Sequence, residues 1–137
     1  MRLTVSMLRA GSACAGEIDD FRKTFDDAVD VTEATVRRAA AAGLDLEWFI
    51  AQYGSDSPNG TVASYAHERD LMITEFSILI NAAIEKQATD TMRLTRTLSA
   101  KYGTTRDELD VSYALRAAAD FDERQAEWAM RQAEETD

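Results

Sequence analysis

Apolar residues recur at helical spacing through most of the chain, and no segment shows the alternation of apolar and polar residues that marks a strand. Before residue 55 this pattern predicts four short helices. Thr4, Thr32 and Asp45 stand where the first, third and fourth helices need a side-chain cap. The second helix is predicted over residues 14–25, where apolar residues three, four and seven positions apart share one face.

Longer helices are predicted after the only proline of the chain. That proline lies in SDSPNG, residues 55–60, which has the composition of a linker. Nothing interrupts the helical pattern over residues 61–102, so we expect one helix there, ended by Gly103. Thr105, with a glutamate three residues later, forms a capping-box pattern and predicts a last helix over 105–132. The predicted inward face of that helix carries Leu109, Tyr113, Ala117, Phe121 and Trp128.

Together these patterns predict an all-α fold in three parts. Residues 1–54 would form a compact module of four short helices, residues 55–60 a linker, and residues 61–137 a long hairpin of two packed helices. A single helix over 61–102 would be about 60 Å long. So long a helix needs either a partner along its length or a kink. The hairpin is therefore a candidate dimerisation element.

The composition is that of a folded globular chain, with 45% hydrophobic and 29% charged residues. Its single cysteine, Cys14, excludes an intramolecular disulfide and favours a reducing compartment. No segment is long and apolar enough for a signal peptide or a transmembrane helix. We therefore expect a cytoplasmic protein.

Negative charge is the strongest feature of the composition, since the net charge is −10. Such a surface repels nucleic-acid phosphates and anionic lipids and attracts basic proteins, so we expect neither direct nucleic-acid binding nor membrane binding. The predicted partner-binding carboxylates are Glu17, Asp19, Asp20, Asp26, Asp27 and Asp30. The three on the second helix, Glu17, Asp19 and Asp20, are expected on its face away from Phe21 and Phe25. A second acidic face on the last helix consists of Asp120, Asp122, Glu123 and Glu127.

Three explanations of the first carboxylate cluster compete: a metal site, a solvated helix surface, and a surface for a basic partner. A calcium loop needs a glycine at its sixth position and a glutamate at its twelfth, and no such glycine follows Asp19 or Asp26. Zinc needs more ligands than Cys14 and His67 supply. We expect no metal and no cofactor, and the other two explanations stay open.

Nucleophilic catalysis also lacks a fitting set of residues. Ser64, His67 and Asp70 follow one another at three-residue steps on one predicted helix, whereas a catalytic triad gathers side chains from separate elements. No glycine-rich loop follows a predicted strand. Cys14 is predicted to be a small core residue beside Phe21. We therefore expect that the protein is not an enzyme.

Residues 32–53 have the spacing of a helix-turn-helix corner. A second helix that reads DNA presents basic or amide side chains to the bases. Here the second helix opens with Asp45 and Glu47, whose carboxylates DNA phosphates would repel. We predict a structural corner, and weak contact through Arg37 and Arg38 stays open.

The first 53 residues resemble a short N-terminal module that recurs in uncharacterised bacteriophage and prophage proteins. The matching features are Leu8 before Ala13-Cys14, Phe21 and Phe25, Val31-Thr32, and Gly43-Leu44-Asp45 before Trp48. The chain departs from that module at Glu17, where glutamine is usual, and at Asp26-Asp27, where glycine is common. The resemblance implies phage origin. Its motif is structural, so no active residue carries over.

Phage origin suggests a type of function, because small acidic phage proteins without catalytic motifs often look like inhibitors of host defence, including anti-CRISPR proteins. Our leading hypothesis is a non-enzymatic inhibitor in the host cytoplasm. It would bind a basic host protein or ribonucleoprotein complex through acidic contacts or DNA mimicry. The alternative is a phage structural or assembly protein, or a helical oligomerisation adaptor, that uses the helices over 61–102 and 105–132. The adaptor would form a discrete large oligomer, whereas the inhibitor would be a monomer or a homodimer.

Overall fold

The short helices begin where the sequence places their caps. The hydroxyl of Thr4 accepts a hydrogen bond from the Met7 N–H at 3.2 Å, and the carboxylate of Asp45 accepts one from the Trp48 N–H at 3.0 Å. Thr32 opens its helix with a reciprocal capping box. These bonds satisfy N–H groups that a first helical turn leaves unpaired. The chain is mostly helical, as predicted, with four short helices before two long ones.

The structure is a computed structural model that describes residues 1–86 and 91–135. In chain order its elements are β1 (Arg2–Thr4), α1 (Val5–Ala10), α2 (Ala15–Phe25), β2 (Ala28–Asp30), α3 (Glu33–Ala41), α4 (Leu46–Tyr53), α5 (Thr61–Glu85) and α6 (Thr91–Glu135). Residues 87–90, which fall within the predicted 61–102 helix, and residues 136–137 lie outside the described residues.

A small sheet corrects the prediction that the chain has no strands. β1 and β2 pair in antiparallel register, with Arg2 opposite Asp30 and Leu3 opposite Val29. Each strand has three residues, which is too short for an alternating pattern to be visible in the sequence. The pairing ties the start of the chain to the segment that joins α2 to α3.

The long helices have different bounds from those predicted. α5 ends at Glu85, and Lys86 is its C-cap, so the predicted 61–102 helix is not continuous. α6 passes through Gly103 and Thr105 without a break, so the predicted stop and the predicted capping box there are wrong. None of the helices among the described residues is long and apolar enough to cross a membrane.

The core lies where the middle of α6 packs against α3, α4 and α5. Ala114 and Ala117 are completely buried there, and their small side chains allow the neighbouring helices to approach closely. The Tyr65 ring meets the Tyr113 ring edge-on, with centroids 5.5 Å apart. The inward face predicted for the last helix is thus confirmed at Tyr113 and Ala117. Trp128 of the same predicted face is 60% exposed.

Residues 55–60 form a turn that is held against α6. The Asp120 carboxylate accepts hydrogen bonds from the Ser55 N–H at 2.8 Å and from the Thr61 hydroxyl at 2.5 Å. At Gly60 a Cβ would come within 2.5 Å of the Ser55 carbonyl oxygen, so only glycine fits at this close approach. These contacts join the turn before α5 to the middle of α6.

Candidate functional site

An apolar cleft of about 290 Å³, which we call the N-terminal cleft, opens between α1, α2, α3, α4 and the small sheet. Its walls include Leu8, Phe21, Phe25, Val36 and Phe49, and Ala114 of α6 also lines it. These side chains come from five separate elements. The cleft could not be found from the spacing of residues along the chain, because its walls form only when the elements assemble.

Polar groups mark the mouth of the N-terminal cleft. Ser12, Cys14 and Asp45 line the cleft and are exposed, and Glu17 lines it and is half-buried. The Glu17 carboxylate accepts a hydrogen bond from the Asp45 N–H at 3.2 Å. This bond spans the space between α2 and the start of α4. It places two carboxylates beside an otherwise apolar cleft.

The corner between α1 and α2 shapes one side of the mouth. A Cβ at Gly11 would lie 2.9 Å from the Trp48 ring, so glycine lets the end of α1 approach α4. Ser12 follows with φ of 61°, in the left-handed region. The Ala13 N–H donates to the Leu8 carbonyl at 2.9 Å and closes the corner.

Two sequence predictions at the cleft are wrong. Cys14 is exposed and not a core residue, because it is the residue before the first turn of α2 and lies at the mouth. Glu17 was expected on the face of its helix away from Phe21, but it lines the same cleft as Phe21. The two residues are four positions apart, and residues at that spacing share a helix face.

The other five carboxylates of the first cluster are exposed. Within residues 1–86 and 91–135, Asp19, Asp20 and Asp26 have no ion-pair partner, whereas Asp27 pairs with Arg22 and Asp30 pairs with Arg2, each at 3.3 Å. The five positions are Asp19, Asp20, Asp26, Asp27 and Asp30. The ion pairs partly neutralise the end of the cluster near β2, so the remaining negative charge is concentrated on α2 and at its end.

Asp26 has an unusual backbone conformation at the end of α2. Its φ is 63° and its ψ is −133°, a combination that glycine adopts without steric cost and that is unfavourable for a residue with a Cβ. The end of α2 therefore carries an exposed carboxylate at a strained backbone position.

The second predicted acidic face is divided between structural and exposed residues. Asp120 is engaged by Ser55 and Thr61, and Asp122 accepts a hydrogen bond from the amino group of Met1 at 2.9 Å. The two remaining positions, Glu123 and Glu127, are exposed. Two of the four residues thus hold the fold together.

The helix-turn-helix corner forms part of the core, because Ala39 and Phe49 on its two sides are buried. Arg37, which was left open as a contact for nucleic acid, donates to Glu33 and to Glu108 of α6. The Glu108 hydrogen bond and charge raise the pKa of Arg37, and Arg37 in turn lowers the pKa of Glu108. Arg37 therefore ties α3 to α6.

The residues considered as a catalytic triad lie apart from this cleft. Ser64, His67 and Asp70 all lie on α5, and His67 is exposed. In the described part of the chain, no three His, Cys, Asp or Glu side chains are placed to share a metal ion.

One partly buried polar pair lies inside the fold, away from the N-terminal cleft. The Tyr65 hydroxyl donates to the Asp110 carboxylate at 2.6 Å, between α5 and α6. Burial raises the pKa of Tyr65, and the hydrogen bond to Asp110 raises it further. Burial also raises the pKa of Asp110, against the opposing effect of the Tyr65 hydrogen bond. The pair fixes the contact between the two long helices.

Comparisons with protein-family models, with curated proteins and with solved structures find no match to this chain. Function therefore has to be inferred from the chemistry of the described residues.

Proposed function

We propose that the protein is a non-enzymatic binding factor that recognises a basic protein partner at the N-terminal cleft. One observation carries this proposal: the apolar cleft, walled by Phe21 and Phe25 of α2, has the carboxylates of Glu17 and Asp45 at its mouth. Asp19 and Asp20 of the same helix are exposed and add negative charge nearby. An apolar pocket with charge at its edge fits a partner segment in which one apolar side chain is flanked by lysine or arginine.

The cleft and the carboxylates would contribute differently to binding. Burying one leucine or phenylalanine side chain is worth about 1.5 to 3 kcal/mol, whereas an exposed ion pair is worth about 0 to 1 kcal/mol. The cleft would therefore supply most of the affinity. The carboxylates would raise the association rate and fix the orientation of the partner. A volume of about 290 Å³ suits a single inserted side chain.

The charge arrangement favours protein contacts over DNA mimicry. Duplex DNA carries one negative charge per about 1.7 Å of its axis. In the first cluster, Arg22 and Arg2 neutralise two of the exposed carboxylates. The unpaired carboxylates that remain are too few to form a continuous row of this density, and the apolar cleft has no counterpart in a phosphate backbone.

The resemblance of residues 1–53 to a phage module narrows the proposed partner. A phage-encoded inhibitor of host defence would act on a host complex that handles nucleic acid, such as a CRISPR effector ribonucleoprotein. The channels of such complexes carry positive charge for their nucleic acid. A chain with a net charge of −10 would be attracted to such a surface.

A second candidate function is a helical oligomerisation adaptor or an assembly protein. The observation that favours it is the position of the exposed large apolar side chains in the described residues, all of which belong to α5 and α6. They are Leu71, Ile73, Ile78, Leu79, Ile84, Met92, Leu94, Trp128 and Met130. The mass in solution separates the two candidates, because an adaptor forms a discrete large oligomer, whereas the inhibitor is a monomer or a dimer.

Selection from a library of short randomised peptides tests the leading proposal. We expect enrichment of peptides that carry one apolar residue beside lysine or arginine, with affinity that falls as salt rises. The double change Asp19→Lys and Asp20→Lys should weaken these peptides by about tenfold or more. The matched control, Glu127→Lys with Glu134→Lys, makes the same change in net charge on α6. Equal losses in both variants would reject the site.

Cys14 allows a reversible block of the N-terminal cleft. It is the only cysteine of the chain, and it lines the mouth of the cleft and is exposed. A benzyl group attached through a mixed disulfide should prevent binding of the selected peptides, and a reducing agent should restore it. Cys14→Ser, which cannot be modified, is the control. Full binding by the benzylated protein would show that peptides do not enter the cleft.

A further inference from the structure

The outward side of α6 carries a straight stripe of exposed residues, which we call the α6 stripe. Successive members are seven or four positions apart, so all lie within about 40° of helix surface. The α6 stripe consists of Leu94, Lys101, Thr105, Ser112, Ala119, Glu123 and Met130. All seven residues are exposed. The stripe extends from Leu94 to Met130, a length of about 54 Å.

The spacing of the α6 stripe is symmetric about Ser112. Leu94 and Met130 are each eighteen positions from it, and Lys101 and Glu123 are each eleven positions from it. A second α6 laid antiparallel about Ser112 would therefore bring Leu94 opposite Met130 and Lys101 opposite Glu123. Each of these pairs would occur twice. A two-fold interface requires this self-complementarity.

Small side chains lie at the centre of the α6 stripe. In the antiparallel register Ser112 faces its own copy, and Thr105 faces Ala119. Small residues at a helix crossing let two helix axes approach closely, whereas bulky ones keep the axes apart. The centre of the stripe thus permits a close contact, and the larger apolar and charged residues lie toward its two ends.

The order of charges along α6 supports the same arrangement. Residues 91–106 contain four basic and no acidic residues, whereas residues 107–135 contain nine acidic and three basic residues. This order opposes the helix macrodipole, which favours acidic residues at the N-terminal end and basic residues at the C-terminal end. It is therefore unfavourable for an isolated α6. An antiparallel copy brings the basic segment of each helix beside the acidic segment of the other.

Apolar surface beside the stripe would be covered by the same contact. A shallow cleft of about 160 Å³ lies between α5 and α6, and Lys101 and Thr105 of the stripe line it together with Leu79 and Leu98. Leu79 is 46% exposed. The segment of a second copy from Ala119 to Met130 would lie against this cleft, where burial of apolar side chains stabilises the contact.

We propose that two copies of this chain associate through antiparallel packing of their α6 stripes about Ser112. The occupant of the stripe is a second copy of the chain, because its charge order and its residue spacing complement themselves when reversed. The proposal does not depend on the function of the N-terminal cleft, which is built from other elements. It makes the protein a two-fold dimer with one N-terminal cleft on each protomer.

Sedimentation equilibrium with charge-reversal variants tests this interface. We expect the wild type to approach twice 15.2 kDa in the micromolar range. Lys101→Glu and Glu123→Lys should each raise the dissociation constant by about tenfold, since each change opposes like charges at two symmetric positions. The double variant should return to within about threefold of the wild type. Arg96→Glu, on the opposite side of α6, is the charge control. At about 0.15 M salt it should change the constant by less than about twofold, because its charge is screened across the helix.

A cysteine at the symmetry axis tests the register. In a Cys14→Ser background, Ser112→Cys should form a cross-linked dimer under mild oxidation, because residue 112 meets its own copy. Ser99→Cys, on the other side of α6, is the control and should not cross-link. Monomeric wild type, equal effects of Lys101→Glu and Arg96→Glu, no recovery in the double variant, or equal cross-linking at the two positions would each overturn the proposal. Circular dichroism confirms that every variant is folded.

Discussion

The carboxylate of Asp110 combines two opposing influences on its charge. Burial favours its neutral form, and the Tyr65 hydroxyl stabilises its ionised form through a bond of 2.6 Å. Burial prevails, and the pKa of Asp110 is raised above its ordinary value of 3.8. At a pH between the ordinary and the raised pKa, the folded state therefore keeps a proton on Asp110 that the unfolded state has released. The stability from this group is full below the ordinary pKa and is lost as the pH rises through the raised value.

Asp110→Asn tests this linkage. The asparagine oxygen still accepts the Tyr65 hydrogen bond but never ionises, so we expect the stability of the variant relative to the wild type to increase as the pH rises from acidic to neutral. Urea unfolding at several pH values measures the difference. The pKa of Glu108 is lowered by Arg37, so the stability from Glu108 increases as the pH rises. This contribution is the same in the wild type and in the variant, and it therefore cancels from their difference.

A matched control for this effect is Glu127→Gln, which removes a carboxylate charge from an exposed position on α6 away from Asp110. We expect it to lack the trend. A stability difference for Asp110→Asn that is constant with pH, or that falls as the pH rises, would contradict the raised pKa.

At the scale of single residues, the sequence predicts best what depends on neighbouring positions. The caps at Thr4, Thr32 and Asp45 are confirmed because a cap bonds to an N–H within the next three residues. Cys14 was misplaced because its surroundings come from residues far away along the chain. Glu17 was misplaced although its spacing of four from Phe21 already puts both residues on one helix face. Their position at the mouth of a cleft depends on how α2 meets α4.

At the scale of elements, the residues that were predicted to end one helix and begin the next, Gly103 and Thr105, do neither. Gly103 costs a helix only about 1 kcal/mol relative to alanine, and contacts with α5 on both sides outweigh this cost. The Phe76 and Tyr102 rings lie 4.6 Å apart before Gly103, and Tyr65 bonds Asp110 after it. The hydroxyl of Thr105 donates to the Lys101 carbonyl within the helix and does not cap a new one.

The substitution Gly103→Ala tests whether Gly103 is an ordinary position inside α6. A Cβ at residue 103 meets no atom within 4 Å, so alanine should stabilise the protein by about 0.5 to 1 kcal/mol. Denaturant unfolding measures the gain. Gly54→Ala is the opposite control, since a Cβ there would lie 2.6 Å from the Ile50 carbonyl oxygen, and it should destabilise the protein. A loss of stability in Gly103→Ala would show that α6 is strained at this position.

At the scale of the whole molecule, the helical class could be predicted, but the assembly around α6 could not. Periodicity gives the inward face of each helix, and it predicted Tyr113 and Ala117 correctly. It does not give the partner of that face. Three features depend on which helices meet. They are the N-terminal cleft, the turn at residues 55–60, and the ion pair between Arg37 and Glu108, which are far apart along the chain.

The substitution Asp120→Ala tests whether the chain unfolds as one unit. Asp120 joins the turn at residues 55–60 to α6 through the Ser55 N–H and the Thr61 hydroxyl, and α6 also packs against α3 and α4. Asp120→Ala leaves two donors without their acceptor and should cost about 1 to 3 kcal/mol. Glu127→Ala, an exposed change on the same helix, should cost less than about 0.5 kcal/mol.

The N-terminal module and the hairpin of α5 and α6 should unfold together in the wild type and in Asp120→Ala. The reason is that α6 packs against α3 and α4 of the module as well as against α5. With Trp128→Phe as background, the fluorescence of Trp48 reports on α4, and circular dichroism is dominated by α5 and α6, which contain most of the helical residues. We expect the two signals to give one coincident urea transition, shifted to lower urea by Asp120→Ala. Separate transitions, or a shift confined to one signal, would mean that the N-terminal module and the hairpin are stable independently and that Asp120 serves only one of them.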